Sequence, residues 1–171
     1  MRLYVGTYAK YNNGSIDGKW LDLDDYADAE EFEEACREVH SDEKDPELMF
    51  QDKDCSHDWE EELYDESSIP KEYWEIRAAL DRSFIDDDIF DAWVGATNKP
   101  VDFDAVQSCE EQYCGKMSGE EYAQMLCEDC GYISENTPSL ISCHIDWAGV
   151  WRDLSIEGYV ERNGYIFDTN R

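Results

Sequence analysis

Charge constrains this chain before any pattern in it does. Asp and Glu number 43 against 14 Lys and Arg, a net charge of −29 over 171 residues. Like charges at this density repel one another in a compact state, most strongly at low salt. The chain folds only if apolar burial outweighs that repulsion. Hydrophobic residues at 42% and aromatics at 13% supply the material, so disorder is not the expectation. The length suits one domain with a sizeable core, or two or three very small domains in a row.

The same field selects partners. It repels nucleic acid and anionic lipid, and it attracts basic proteins, metal cations and polyamines. Direct nucleic-acid binding is therefore not expected, and a protein that itself binds nucleic acid becomes a candidate partner. No run approaches the roughly 18 apolar residues of a membrane span. The opening residues Met1–Tyr8 read as a strand and lack the apolar stretch of a signal peptide, so a cytoplasmic location is expected. Seven Cys is an odd number, and a reducing compartment would keep them as thiols.

The charge is unevenly spread. Residues 22–66 hold 21 acids and three bases, whereas the last 21 residues hold four and three. A near-neutral, aromatic-rich end lets two acidic bodies meet without stacking their charge, and so favours self-association there.

Pattern divides the chain in three. Residues 1–67 read as an acidic α+β domain. Leu3 to Tyr8, Lys19 to Leu21 and Glu47 to Asp52 are the strands, with Asn12-Asn13-Gly14 as a turn. Asp28 caps a helix in which Phe32, Ala35, Cys36 and Val39 recur at helical spacing. Trp59 to Tyr64 reads as a short acidic helix. Ser67-Ser68-Ile69-Pro70 marks a boundary, and 68–108 reads as purely helical. Tyr73, Ile76, Leu80 and Phe84 form one stripe; Asp86-Asp87-Asp88 sits at a helix N-terminus, where carboxylates meet the positive dipole end. Ile89, Phe90, Trp93 and Val94 form that helix's buried side and Gly95 its end. Pro100 precedes a short helix holding Phe103 and Val106. Residues 109–171 return to α+β. Gln112 to Lys116 is a strand, Ser118-Gly119-Glu120-Glu121 fits a capping box, and Gly131 ends that helix. Thr137-Pro138 starts another with Leu140, Ile141 and Ile145, and Arg162-Asn163-Gly164 joins a final hairpin.

Chemical motifs are sparse. Cys127-x-x-Cys130, with Cys109 and Cys114 upstream, would supply four thiolates for zinc. Cys127 lies inside a predicted helix, however, and the upstream pair is loosely spaced. Buried thiols acting as small hydrophobes suit the pattern better. His40, His57 and His144 stand near no recognisable nucleophile and are assigned structural or surface roles. Asp22 to Asp28 and Asp86 to Asp88 do not fit an EF-hand loop, and no Gly-rich phosphate loop occurs. No enzyme, no metal and no cofactor are expected. The charge alone suits salt adaptation and charge mimicry equally.

Motifs in order break that tie. Tyr11-Asn12-Asn13-Gly14 followed by Gly18-Lys19-Trp20, then Glu47-Leu48-Met49-Phe50-Gln51-Asp52, then Ile145-Asp146-Trp147 with Arg152-Asp153-Leu154, resemble stretches of the ArdA antirestriction family. The likeness runs from near residue 3 to near residue 167, and the helical middle is the least similar. The position before Arg152 is usually small in that family and here is Trp151; the Cys content also looks particular to this chain. The resemblance implies an elongated row of three small domains, α+β with a three-stranded antiparallel sheet, a helical bundle, and α+β again. It implies a homodimer formed through the C-terminal region, which imitates B-form DNA. It also implies binding to type I restriction-modification enzymes in their DNA-binding groove, blocking restriction and often methylation.

The expected partner-binding acidic face comprises Asp22, Asp24, Asp25, Asp28, Glu30, Glu31, Glu33, Glu34, Asp52, Asp54, Asp58, Glu60, Glu61 and Glu62. It extends through Asp86, Asp87, Asp88 and Asp91. Some of these must cap helices or face inward. The competing expectations are an acidic module for another basic DNA-binding protein, a metal or thiol enzyme, and a salt-adapted protein of unrelated function.

Overall fold

A computed structural model describes residues 1–171. The chain is α+β, with two three-stranded antiparallel sheets among its helices. It forms two compact units. The first takes residues 1–87 and 100–106, the second 88–99 and 107–171. The helical residues 68–108 are thus shared between the units.

In the first unit β1 (Arg2–Thr7) is the central strand between β2 (Lys19–Asp22) and β3 (Leu48–Asp54). Alternation turns Leu3 and Val5 inward, both 0% exposed, and Arg2 and Tyr4 outward. One helical turn, α1 (Tyr8–Asn12), follows β1. A 3-10 turn (Leu23–Asp25) leads to α2 (Ala29–Val39). Asp28 caps α2 as its position requires, its Oδ1 accepting the Glu30 and Glu31 amides at 2.9 Å. Acids crowd the first turn of α2 and Arg37 the last, which matches the helix dipole at both ends. The inner stripe places Phe32 against Phe50 of the sheet, ring centroids 6.3 Å apart, and against Trp74 at 5.8 Å. Trp74 belongs to α4 (Glu72–Leu80), whose buried residues are Tyr73, Ile76 and Leu80. Phe84 falls beyond the end of α4 and is 65% exposed, so it is not part of the stripe. The short helix α3 (Asp58–Glu62) buries Trp59, which stacks on Tyr73 at 5.6 Å.

In the second unit α5 (Asp87–Thr97) contributes residues 88–97, with Ile89, Phe90, Ala92, Trp93 and Val94 buried. Gly95 does not end α5. Two further residues follow, and Asn98 takes the left-handed conformation instead, with φ 50°. A β-carbon at residue 95 would lie 3.2 Å from the Arg162 guanidinium, a tight contact that this side chain would have to yield slightly to admit. Residues 100–106 belong to the first unit; α6 (Ala105–Gln112) starts there, beyond Phe103, whose ring is 67% exposed, and supplies residues 107–112 to the second unit. β4 (Tyr113–Lys116), β5 (Tyr159–Arg162) and β6 (Tyr165–Asp168) form the sheet, with β6 central and buried throughout. The β5–β6 hairpin turns on Asn163 and Gly164, with φ 55° and 80°. These are the positive values a two-residue turn requires, and Asn-Gly supplies them without strain.

Ser118 and Glu121 form the predicted capping box at the start of α7 (Gly119–Asp129). The helix expected from Thr137 is only one turn, α8 (Ser139–Ser142), and Leu140 is 79% exposed. A longer helix follows it, α9 (Trp147–Ile156), capped by Asp146, whose Oδ1 accepts the Gly149 amide at 3.0 Å. Trp151 of α9 sits against Gly119 of α7 and edge-on to Tyr122. A β-carbon on residue 119 would fall inside the indole ring, so the bulky residue in α9 and the missing side chain in α7 are one packing solution. No helix is long and apolar enough to cross a membrane.

Candidate protein-interaction surface

The structure sorts the eighteen carboxylates by what surrounds them. Thirteen are exposed, which leaves them able to meet a partner. Asp22 and Asp28 hold backbone amides, Asp22 accepting from Asp24 at 3.2 Å. Asp24 accepts a 2.7 Å hydrogen bond from the Tyr73 hydroxyl. Glu31 reaches back to the Ala27 amide at 2.6 Å. These contacts fix the direction of acids on the first turns without neutralising them.

Cations in the first unit neutralise a second group. Arg37 holds Glu33 at 2.9 Å, Arg2 holds Asp54 at 3.3 Å, Arg77 holds Asp87 at 2.6 Å, and Lys53 pairs with Glu61. The hydrogen bond to Glu33 raises the Arg37 pKa, and that to Glu61 raises the pKa of Lys53. Lys10 bridges Asp42 at 3.0 Å and Asp17 at 3.4 Å. The bond to Asp42 raises the lysine pKa and lowers that of Asp42.

Glu60 stands apart. It is 3% exposed, and its carboxylate takes the Met1 ammonium at 3.1 Å and the Ser56 amide at 2.7 Å. It is a buried counter-ion within the first unit, with no carboxylate oxygen offered to solvent. By contrast Asp25, Glu30, Glu34, Asp52, Asp58 and Glu62 are exposed and carry no ion pair. With Asp88, likewise exposed and without an ion pair, they are the least compensated members of the predicted face. Asp88 is exposed and Asp91 half-buried, both within the second unit; Asp86, also exposed, belongs to the first.

The nucleophile-bearing side chains are not organised into a reactive cluster. Burial pushes the Cys36 and Cys109 thiols up to about 12, and Cys55 up to about 11. His40 is fully buried. The Lys10 ammonium donates to its Nδ1 at 3.1 Å, which leaves the Nε2–H to donate to the Val5 carbonyl at 3.1 Å. Nowhere do three or more His, Cys, Asp or Glu side chains come together in a way that would hold a metal ion. Of the four thiols considered for zinc, Cys109 is buried and Cys130 exposed.

The second unit shows a different surface. Tyr132, Leu140 and Ile156 are each 79% exposed and Ile141 58%. A cleft of about 680 Å³ is lined by Gln124, Glu128, Ile133, Cys143 and Trp147 among others. Sequence reasoning missed α9, although Trp147, Val150, Trp151 and Leu154 follow its Asp146 cap at helical spacing. It also missed the outward aromatic pair Tyr4 and Trp20, whose rings lie 5.4 Å apart.

The profile of the family described as Antirestriction protein (ArdA) matches residues 3–167. No curated protein matches the chain.

Proposed function

The chain belongs to the ArdA antirestriction protein family, and we propose from this that it inhibits type I restriction-modification enzymes by occupying their DNA-binding groove as an acidic mimic of DNA. Antirestriction follows from the family; mimicry is supported by the exposed, uncompensated carboxylates of residues 22–66. A carboxylate replaces a phosphate well because Arg pairs with either through two parallel hydrogen bonds. The inhibitor offers no scissile phosphodiester and no base to methylate. It competes for the groove and is not consumed.

The magnitude of the charge fits the task. Duplex DNA carries one charge per about 1.7 Å of axis. Two chains of −29 therefore match the charge on about 100 Å of duplex, roughly 29 base pairs. A homodimer formed through the second unit brings that charge together, because the last 21 residues are nearly neutral and the exposed Tyr132, Leu140, Ile141 and Ile156 supply apolar area to bury. The DNA-like contacts are spread over many carboxylates, so no single one is essential. Opposite charge steers the encounter, which makes association fast and salt-sensitive.

The test is competition. The purified chain is titrated against a type I methyltransferase core carrying labelled cognate duplex, at several salt concentrations. Displacement of the duplex, with affinity falling steeply as salt rises, is expected. Absence of binding to the core would remove this reading. Loss of all inhibition on one charge-neutral substitution in residues 22–66, with the fold intact, would remove the distributed-contact part of it. Sedimentation equilibrium checks the dimer.

A further inference from the structure

Carboxylates are not the whole of the first unit's outward face. On the sheet, β1 and β2 pair Tyr4 with Trp20 and Arg2 with Asp22. β3 sets Asp52 beside Tyr4 and Asp54 beside Arg2. These six residues lie on the face opposite Leu3 and Val5. Two half-buried rings are therefore bracketed by three carboxylates on one sheet surface, of which Asp52 and Asp54 are exposed. The Tyr4 hydroxyl is used internally, donating to the Ile16 carbonyl at 3.0 Å. The Trp20 indole N–H has no partner within the chain. The other two indoles of this unit do, Trp59 donating to Asp87 and Trp74 to the Tyr26 carbonyl.

One cation already marks the chemistry of this surface. The Arg2 guanidinium lies 5.4 Å from the Trp20 ring centroid and donates to Asp54 at 3.3 Å. Its side chain is 48% exposed and that of Asp54 61%, so neither is locked in place. A guanidinium is planar, weakly hydrated and able to stack on an aromatic face while hydrogen-bonding a carboxylate. An ammonium satisfies the charge but does not stack in the same way.

We propose that this sheet face is an arginine-binding patch, in which a guanidinium of the basic partner stacks on Trp20, pairs with Asp52 or Asp54, and displaces Arg2 from the place it holds in the free protein. The partner's identity rests on the antirestriction reading above; the preference for arginine rests on the patch. Recognition then has a short-range component that salt screens less than the carboxylate field beside it. Arg2 is a built-in competitor whose removal strengthens binding.

Calorimetric titration of the full chain with octaarginine and with octalysine holds charge constant, and the Trp20→Leu variant then separates stacking from the bidentate pairing that arginine makes with any carboxylate. The wild-type chain is expected to prefer octaarginine by about fivefold, the order of one cation–π contact. Trp20→Leu should narrow the preference to what bidentate carboxylate pairing alone leaves, and Arg2→Ala should widen it. Equal binding by the wild type, or a preference unchanged in Trp20→Leu, would overturn the patch. Should Trp20→Leu fail to fold, the Trp20 indole N–H resonance of the wild type decides. A shift on adding octaarginine but not octalysine supports the patch, and no shift overturns it. The two readings fail separately. A chain that inhibits the methyltransferase core but shows no arginine preference loses the patch and keeps mimicry. An arginine preference reduced in Trp20→Leu, without inhibition of the core, keeps the patch and loses mimicry.

Discussion

Tyr73→Phe measures how firmly the acidic face is tied to the core beneath it. Tyr73 is 1% exposed, stacked on Trp59 at 5.6 Å and edge-on to Trp74 at 5.5 Å. Its hydroxyl donates to Asp24 at 2.7 Å and sits 3.3 Å from the Met1 ammonium. Burial, with the bond to Asp24 second, holds the phenol protonated far above its ordinary range, so the hydroxyl is a donor at every working pH. Phenylalanine keeps the ring stacks and removes only the donor. A hydrogen bond to a charged acceptor contributes about 1.5–3 kcal/mol. Asp24 is exposed and can take water in exchange, which puts the expected loss at the lower end, about 1–2 kcal/mol. The Met1 ammonium keeps Glu60 and adds little to the loss. Urea titration should show a lower midpoint at unchanged slope, since the same surface is exposed on unfolding. Asp24→Asn alone is ambiguous, because it also relieves repulsion among neighbouring carboxylates. The double-mutant cycle removes that ambiguity and should give a coupling of about 1 kcal/mol. A Tyr73→Phe variant within about 0.3 kcal/mol of wild type, or an additive cycle, would show that the hydroxyl does not anchor Asp24.

Further outcomes follow from the same geometry. Asp28→Ala should destabilise the chain by about 1 kcal/mol by leaving the Glu30 and Glu31 amides of α2 uncapped, and an unchanged urea midpoint would contradict the cap. Gly119→Ala should cost about 1–3 kcal/mol, because the new methyl meets the Trp151 ring; Trp151→Ala in the same chain should restore part of the loss if the clash is the cause. Thiol labelling at pH 8 should modify the exposed Cys130 and Cys143 first and leave Cys36 and Cys109 protonated and slow. The sign is that of a raised pKa in the folded state: the stabilising contribution is full below the unfolded thiol value and is lost as pH climbs towards about 12, so an alkaline scan should show stability falling above pH 9. Raising salt from about 10 mM to about 1 M shortens the Debye length from about 30 Å to about 3 Å and should raise the thermal midpoint, whereas a flat response would mean that repulsion is not what limits this fold.

The signals that proved legible in the chain were those complete within a few residues. Asp28 and the Ser118–Glu121 box act on amides two or three positions away. Asn163-Gly164 carries its own turn geometry, and the Tyr73, Ile76, Leu80 stripe buries one face of one helix. The misplacements came where two local signals competed. Gly95 reads as a helix end because glycine favours that conformation, yet the helix runs on to Thr97, Asn98 takes the left-handed turn, and residue 95 lies against Arg162, far along the sequence. Pro138 does start a helix, but one of a single turn, and reading it on to Ile145 hid the separate cap at Asp146.

The sequence by itself determined the density of negative charge, the two kinds of secondary structure and most of their caps, because each depends on composition or on neighbours within a turn. Only the tertiary structure decided which carboxylates stay exposed and unpaired. Glu60 is buried by an ammonium 59 positions away, and Asp54 is neutralised by an arginine 52 positions away. It also put Trp20, Tyr4 and Asp52 on one surface through strand pairing, and Trp151 over Gly119 through the packing of two helices. Burial and ion pairing depend on where distant segments meet, and a carboxylate's residue type carries no record of the cation or ring that the fold sets beside it.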